Sequence, residues 1–192
     1  MTGRAIFQKY GKVIRFLVRV AKLFPISFRK YKLNSSCLSK GLLGQFRRYI
    51  WLGSIAQSIG DNVAVYPNVF FEHAEKLSIG NNVSIHQMCY IDAGGEIVIG
   101  DDVSIAHRTT ILSSNHRYDC SDTPIKYQGM IHKKTIIDNN VWIGCSVTIL
   151  AGVHVSSGCV IGANSVVTKD VNPDEIVVGN PARVIKKRFN HD

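Results

Sequence analysis

The first sixty residues contain no aspartate or glutamate, although they carry 12 of the 23 lysines and arginines in the 192-residue chain. Residues 61–192 hold 11 basic and 14 acidic residues, so the net charge of +9 arises in the N-terminal part alone. This part also lacks a long uncharged apolar run and a small-residue cleavage site after one, which argues against a signal peptide or a membrane-spanning helix. We therefore expect a cytoplasmic protein.

Several familiar motifs are missing as well. The five cysteines show no CxxC spacing, as expected for a protein of a reducing compartment. Neither a P-loop nor a GxGxxG motif is present. The basic N-terminal part has no recognised DNA-reading motif and no stacking platform between its cations, so we expect no nucleic-acid partner.

The N-terminal part contains one segment with helical periodicity. Lys12, Arg15, Arg19 and Lys22 recur at steps of three and four with apolar residues between them, so residues 10–24 are predicted to form an amphipathic helix that ends at Pro25. Two roles remain open. The helix binds an anionic membrane surface, at the inner face of the membrane, or it packs on the rest of the fold or on a neighbouring subunit.

An aliphatic residue recurs about every six positions over residues 59–167, with Phe71 as the single exception. These positions are Ile59, Val65, Phe71, Ile79, Ile85, Ile91, Ile99, Ile105, Ile111, Ile137, Ile143, Ile149, Val155, Ile161 and Val167. The residues two places earlier are mostly small or β-branched. A period of six predicts short strands joined by tight corners, three strands to a coil, with glycine and asparagine supplying the corner conformations.

The repeat is interrupted most strongly between Ile111 and Ile137, a step of 26 residues. Residues 112–134 are therefore predicted to loop out of one corner of a triangular prism, and loops on rigid scaffolds often carry function. The resulting organisation is a basic, partly helical extension (residues 1–50), a coil domain (residues 51–180) and a basic C-terminal tail (residues 181–192).

Two segments carry a resemblance to a known family. The sequence NNVWIGCSVTILAGVHVSSGCVIGANSVVTKDV at residues 139–171 and the ending VVGNPARVIKK at residues 177–187 resemble the hexapeptide-repeat acyltransferases. Within that family the chain is similar to galactoside, maltose and polysaccharide O-acetyltransferases. The resemblance implies an all-β, left-handed parallel β-helix, acetyl-coenzyme A as the acetyl donor without a required metal, a carbohydrate acceptor and a homotrimer.

The resemblance also assigns candidate catalytic residues. His116 lies five residues past Ile111, where the family keeps its catalytic histidine, and imidazole is suited to take the proton of an attacking hydroxyl. The residue after W-I-G supplies a backbone N–H to the oxyanion in the family, and that residue is Cys145 here. A covalent route through Cys145 or Cys120 is an alternative that the family does not use.

Cofactor and acceptor residues follow in the same way. By resemblance, coenzyme A is expected to contact Trp142, Gly144, Ala163, Ser165, Thr168, Lys169, Arg183 and Lys186. Polar residues that could recognise the acceptor are Ser84, His86, Gln87, Asp92, Asn115, Tyr118 and Asp119. Asp92 could instead orient His116 as the carboxylate of a dyad.

The sequence therefore predicts O-acetylation of a sugar hydroxyl, within a surface polysaccharide or its lipid-linked precursor. Three alternatives stay open. N-acetylation of a nucleotide-linked amino sugar would use the same fold, cofactor and base. A zinc-dependent carbonic anhydrase of the same fold could draw ligands from the histidines, although the close histidine pair of that branch is missing. A β-helical scaffold without activity would leave His116 and Trp142 without a function.

Overall fold

The computed structural model describes residues 3–189. Three helices come first: α1 (Gly3–Ala21), α2 (Ile26–Ser35) and α3 (Gly41–Ile55). Nineteen strands follow within these residues. They are β1 (Ser58–Ile59), β2 (Ala64–Val65), β3 (Phe70–Glu72), β4 (Leu77–Ile79), β5 (Ser84–Ile85), β6 (Tyr90–Asp92), β7 (Ile97–Ile99), β8 (Ser104–Ile105), β9 (Thr110–Leu112), β10 (Ser114–His116), β11 (Met130–His132), β12 (Thr135–Ile137), β13 (Trp142–Ile143), β14 (Thr148–Ile149), β15 (His154–Val155), β16 (Val160–Ile161), β17 (Val166–Val167), β18 (Glu175–Val178) and β19 (Arg183–Lys187).

Seventeen of these strands form the three faces of a prism with about six turns, and all of them except β19 run parallel. This is the left-handed parallel β-helix that the resemblance implied. Face A has the order β1-β4-β7-β12-β15, face B the order β2-β5-β8-β13-β16-β18-β19, and face C the order β3-β6-β9-β14-β17. Register confirms turns of twenty residues early in the coil, because Ile59 pairs with Ile79 and Ile79 with Ile99. Later turns have eighteen, because Ile143 pairs with Ile161.

The repeat positions build the core. Thirteen of the fifteen repeat positions are buried, and Ile59 and Phe71, in the first turn, pack against that core while partly exposed. The residues two places before each repeat position are also buried from Val63 onward. Three of them, Thr109, Thr135 and Ser165, are polar. Each turn therefore stacks two side chains per face into a continuous apolar column, which is the main source of stability in a coil whose turns contact only their neighbours.

The corners differ from the prediction in one respect. Glycine was expected there for its backbone angles, yet the glycines that follow the inward aliphatic residue, such as Gly144, do not have positive φ. A Cβ on Gly144 would lie 2.7 Å from the amide nitrogen of Ala163 in the next turn, so close approach requires glycine. The left-handed conformation occurs two residues after this glycine, often at an asparagine or aspartate. Examples are Asn62, Asn82 and Asp102.

Residues 112–134 leave the corner between faces C and A, as the interrupted repeat predicts. They are more ordered than a loop, because β10 and β11 pair as an antiparallel ribbon in which Ser114 lies opposite His132 and His116 opposite Met130. The segment between the strands contains a short 3-10 turn, Ile125–Tyr127. We call residues 112–134 the arm.

The helices close one end of the prism. α3 extends to Ile55, past the predicted boundary at residue 50, and its buried Leu52 and Ile55 join the core of the coil. Arg48, also buried, donates from Nε to the carbonyl of Val65 (2.9 Å) and from Nη1 to the carbonyls of Ser36 and Ser39 (both 2.7 Å). Burial lowers the pKa of this guanidinium. Its three bonds to carbonyl groups tie α2, α3 and the first turn together.

α1 packs on α3 through Ile14, Val18 and Ala21, and Arg15 forms an ion pair with Asp61 of the first turn (2.6 Å). α1 ends at Ala21, a few residues before the predicted stop at Pro25. At the other end of the prism the expected C-terminal tail is partly structured, because β19 pairs antiparallel with β18. Within residues 3–189 no helix has the length and apolar character needed to cross a bilayer.

Candidate active site

The corner between faces B and C leaves a row of backbone donors unused. The second residue after the inward aliphatic residue is Gln87, His107, Cys145 and Ala163 in four successive turns. No hydrogen bond from the amide N–H of any of the four is found among the described residues, although the flanking amides at this corner donate to neighbouring turns. Four donors therefore run parallel to the prism axis at the surface.

At the corner between faces A and B, the amides at the corresponding positions are hydrogen-bonded. There the amide N–H of Asp61 donates to Asn81 Oδ1 (2.9 Å), that of Asn81 to Asp101 Oδ1 (2.5 Å) and that of Asp101 to Asn139 Oδ1 (2.7 Å). Asparagine and aspartate side chains thus satisfy these amides turn by turn. At the B–C corner no side chain of the described residues accepts from the corresponding amides, which leaves the donors open to a bound molecule.

Trp142 lies on the outward side of face B, three residues before Cys145, and is 57% exposed. Strand register places it in one outward file that runs Ser84, Ser104, Trp142, Val160, Ile176, Lys186. Ser84 Oγ donates to Ser104 Oγ (3.3 Å) within the file. Ser84, Trp142 and Lys186, which the sequence assigned separately, therefore share one surface beside the amide row.

His86 and Gln87 belong to the same corner as Gly144, Cys145 and Ala163. His86 stacks on Tyr66 of the preceding turn, with ring centroids 4.5 Å apart and an interplanar angle of 8°. Burial, with a smaller contribution from the nearby His107, lowers the pKa of His86, which favours its neutral form near pH 7. A neutral imidazole at this corner can accept as well as donate a hydrogen bond.

A cavity of about 230 Å³ lies near the C-terminal end of the coil and is lined by Thr168, Lys169 and Arg183. Two cations and the carboxylate of Asp170 line it, so its net positive charge suits a phosphate-bearing ligand, as the resemblance implies. Lys186 does not line this cavity, because register places it opposite Ile176 on face B. Thr168, Lys169 and Arg183 therefore lie together, and Lys186 lies apart from them on face B.

Ser165 does not offer its side chain to a cofactor. It occupies the inward column, is fully buried, and its Oγ accepts from the amide N–H of Gly179 (3.0 Å). Its carbonyl accepts from the amide N–H of Thr148. A contact between coenzyme A and this side chain therefore stays a prediction without support from the burial of Ser165, because the hexapeptide position that makes the residue small also turns it into the core.

His116 ends β10 on the arm and is exposed, together with Asn115, Tyr118 and Asp119. Asn115 Oδ1 accepts from the amide N–H of His116 (2.9 Å). The arm leaves the prism between faces C and A, whereas Trp142 lies on face B and Cys145 at the B–C corner. No hydrogen bond within the described chain joins His116 to either residue.

Asp92 does not orient His116, as one reading of the sequence had it. Its Oδ1 accepts from His73 Nδ1 (3.2 Å) and from the amide N–H of Gly94 (3.0 Å), while its Oδ2 accepts from the hydroxyl of Ser114. Only 9% of Asp92 is exposed, which also argues against direct contact with an acceptor. The carboxylate lies at the base of the arm and its partners are not those that the sequence suggested.

Sequence reasoning missed His107 as a member of the amide row, and it missed His73 and Ser114 as partners of Asp92. The position of His107 in the amide row could have been predicted, because the A–B corner carries asparagine or aspartate at the corresponding position and the B–C corner does not. The partners of Asp92 could not have been predicted from the sequence, because the stacking of successive turns alone brings residues 73, 92 and 114 together. Among residues 3–189, no group of three or more histidine, cysteine, aspartate or glutamate side chains could hold a metal ion within one chain.

Comparison with known proteins agrees with the repeat and the fold. Residues 134–169 match the family model described as bacterial transferase hexapeptide (six repeats). A chloramphenicol acetyltransferase of Agrobacterium fabrum is 53% identical over 58 residues, which are 30% of this chain and 28% of that protein. The alignment thus spans less than a third of that relative.

Solved structures extend the likeness to most of the chain. A hexapeptide-repeat acetyltransferase of Vibrio cholerae in complex with acetyl-coenzyme A is 27% identical, with a TM-score of 0.74 over 93% of this chain and 89% of that one. A maltose O-acetyltransferase of Clostridium difficile is 29% identical, with a TM-score of 0.77 over 85% and 86%. Repeat, fold and family match define a hexapeptide β-helix protein. In its repeat and its fold the chain is similar to hexapeptide-repeat acetyltransferases.

Proposed function

We propose that this protein transfers acetyl from acetyl-coenzyme A to a hydroxyl of a carbohydrate. The observation that carries the proposal is the row of unpaired amide N–H groups along the B–C corner, which includes Cys145. A thioester carbonyl and the amide carbonyls of a pantetheine arm are acceptors that such a row of donors fits. The related V. cholerae structure was solved with acetyl-coenzyme A, and the cavity at Lys169 and Arg183 supplies cations for phosphates.

The reaction then needs two groups from this chain. The acceptor oxygen attacks the thioester carbonyl carbon while the His116 imidazole takes the hydroxyl proton. The amide N–H of Cys145 hydrogen-bonds the oxyanion of the tetrahedral intermediate. When the intermediate collapses, the carbon–sulfur bond breaks, and the imidazolium returns its proton to the departing coenzyme A thiolate. The products are the acetyl ester and free coenzyme A.

A screen of acceptors tests the proposal. We expect acetyl-coenzyme A to release free thiol when a hydroxyl sugar is supplied, and the sugar to gain the mass of one acetyl group. The panel includes galactosides, maltose, polysaccharide fragments, an amino sugar and chloramphenicol, because the relatives act on different acceptors. Acetylation of the amino group alone would favour the N-acetyl alternative. No thiol release with any acceptor would contradict the proposal.

The site is completed, in this proposal, by a second copy of the chain. His116 stands on the arm at the C–A corner and Cys145 at the B–C corner, so one prism does not bring the base to the oxyanion donor. A closed ring of three copies would place each arm at the B–C corner of a neighbour and create three equivalent sites.

Mixing two inactive variants tests this arrangement. We expect His116→Ala and Cys145→Pro, each nearly inactive alone, to recover activity when they are dissociated and reassembled together. Random assembly should leave about a quarter of the interfaces with both intact groups, and thus about a quarter of wild-type activity. Mixing His116→Ala with a second His116 variant is the control that should recover nothing. Full activity of a monomer in light scattering would contradict the shared site.

The helical extension is the proposed contact with a membrane. The face of α1 that includes Ile14 and Val18 is already buried on α3, as the packing alternative expected. Other apolar side chains stay exposed, with Phe16 at 60% and Leu23 at 83%. They stand among the exposed cations Lys12, Arg19 and Lys22. Apolar and cationic side chains on one surface suit an anionic leaflet, where a lipid-linked acceptor would also lie.

Flotation with vesicles separates the two roles of α1. We expect the protein to float with vesicles rich in anionic lipid at low salt and to be released at high salt, because each cation adds only about 1 kcal/mol near the surface. The matched variant Phe16→Ser with Leu23→Ser leaves the packed face intact and should lose binding. If wild type and variant both remain unbound at low salt, the helix serves packing alone.

A further inference from the structure

Asp92 holds together three turns of the prism at the corner from which the arm leaves. His73 comes from one turn, Asp92 from the next, and Ser113 and Ser114 from the third. The carboxylate accepts from His73, Gly94 and Ser114. The Asp92 backbone carbonyl in turn accepts from the Ser113 amide (3.0 Å) and hydroxyl (2.7 Å).

The return strand of the arm is fastened at the same place. The amide N–H of Lys133 donates to the carbonyl of Ser113 (2.8 Å), and Thr135 Oγ1 donates to the carbonyl of Leu112 (2.7 Å). Ser113 and Thr135 are fully buried. Buried polar groups that are all paired fix a geometry strongly, because any shift leaves one of them without a partner.

The carboxylate of Asp92 is ionised in this setting. Burial alone would raise its pKa, but hydrogen bonds from Ser114, Gly94 and His73 outweigh burial, and the net pKa is lowered. An ionised acceptor makes stronger hydrogen bonds than a neutral one. The bond to Ser114 therefore anchors the first residue of β10, two positions before His116.

From these contacts we infer that Asp92 is a positioning residue for His116: through Ser114 it sets where the arm leaves the prism and hence where the imidazole stands. The inference rests on the proposed role of His116 as the base. It replaces the acceptor-binding and dyad roles that the sequence suggested for Asp92, because the carboxylate oxygens are occupied by His73, Gly94 and Ser114. Small displacements of a catalytic group lower the rate without weakening remote binding contacts.

Ser114→Ala removes the link from the arm side and leaves Asp92 and the core unchanged. We expect kcat to fall about tenfold to a hundredfold, with the Kd for acetyl-coenzyme A and the KM for the acceptor unchanged. Ser114→Thr, which keeps the hydroxyl, should recover most of the activity. Amide hydrogen exchange over residues 115–131 should become faster in Ser114→Ala and in Asp92→Asn, while exchange in α3 and the coil core stays the same.

Each outcome has a separate meaning. Unchanged exchange in the arm of both variants would overturn the inference, whatever the rate. If kcat falls in that case, the loss would indicate that Ser114 contacts the reacting groups directly. If His116→Ala proves active, the proposed base is wrong, yet the exchange experiment still decides whether Asp92 anchors the arm.

Discussion

Cys145→Pro should lower kcat by about 10²- to 10³-fold, the cost of removing one oxyanion donor. Proline at this position removes the amide N–H and changes little else, because the chain itself carries Pro67 at the same place in the first turn of the B–C corner. The amide of Cys145 makes no hydrogen bond within the described chain, so the fold loses none. The measurement is kcat with saturating sugar and acetyl-coenzyme A, with circular dichroism as a check of the fold.

Cys145→Ser is the matched control for the thiol. It retains the amide and a side chain of similar size, and we expect activity within a few-fold of wild type. A large loss in Cys145→Ser, together with an acetylated enzyme in the mass spectrum, would favour the covalent route over direct transfer. Activity of Cys145→Pro near wild type would remove this amide from the mechanism.

His116→Ala should lower kcat by at least about 10²-fold, the contribution expected of a general base. Binding of acetyl-coenzyme A should change little, because the proposed cofactor contacts come from the amide row and from Lys169 and Arg183 rather than from the imidazole, and calorimetry with acetyl-coenzyme A alone measures this directly. His154→Ala is the matched control. His154 lies half-exposed on face A, paired with Asp138 (2.9 Å), and its loss should leave kcat unchanged. Activity of His116→Ala within a few-fold of wild type would contradict the assignment.

The six-residue period made the fold predictable. An aliphatic residue every six positions has one simple packing solution, and the prediction of three faces, twenty-residue early turns and an excursion at residues 112–134 is confirmed by the strand register. The helix over residues 10–21 was also predictable, because the cations recur at helical spacing. The ends of elements were less readable: α3 runs on to Ile55 and β19 replaces part of the expected tail, because pairing with neighbours decides both.

The candidate site was only partly readable. The resemblance to the acyltransferases indicated Trp142, Cys145 and Ala163, and all three lie on or beside the amide row. Ser165 shows the limit of this reasoning, because a small polar residue can serve the core as well as a ligand. The arm residues Asn115 and His116 stay predictions.

By itself, the sequence determined the coil, its three faces and the position of the arm, since these follow from a local period that repeats along the chain. Only the tertiary structure decided how the corners differ. It showed that side chains of neighbouring turns satisfy the amides at the A–B corner and leave those at the B–C corner free. It also gave Asp92 its partners His73 and Ser114. The physical reason is that a hydrogen bond between turns joins residues about twenty positions apart, and its direction depends on how one turn stacks on the next.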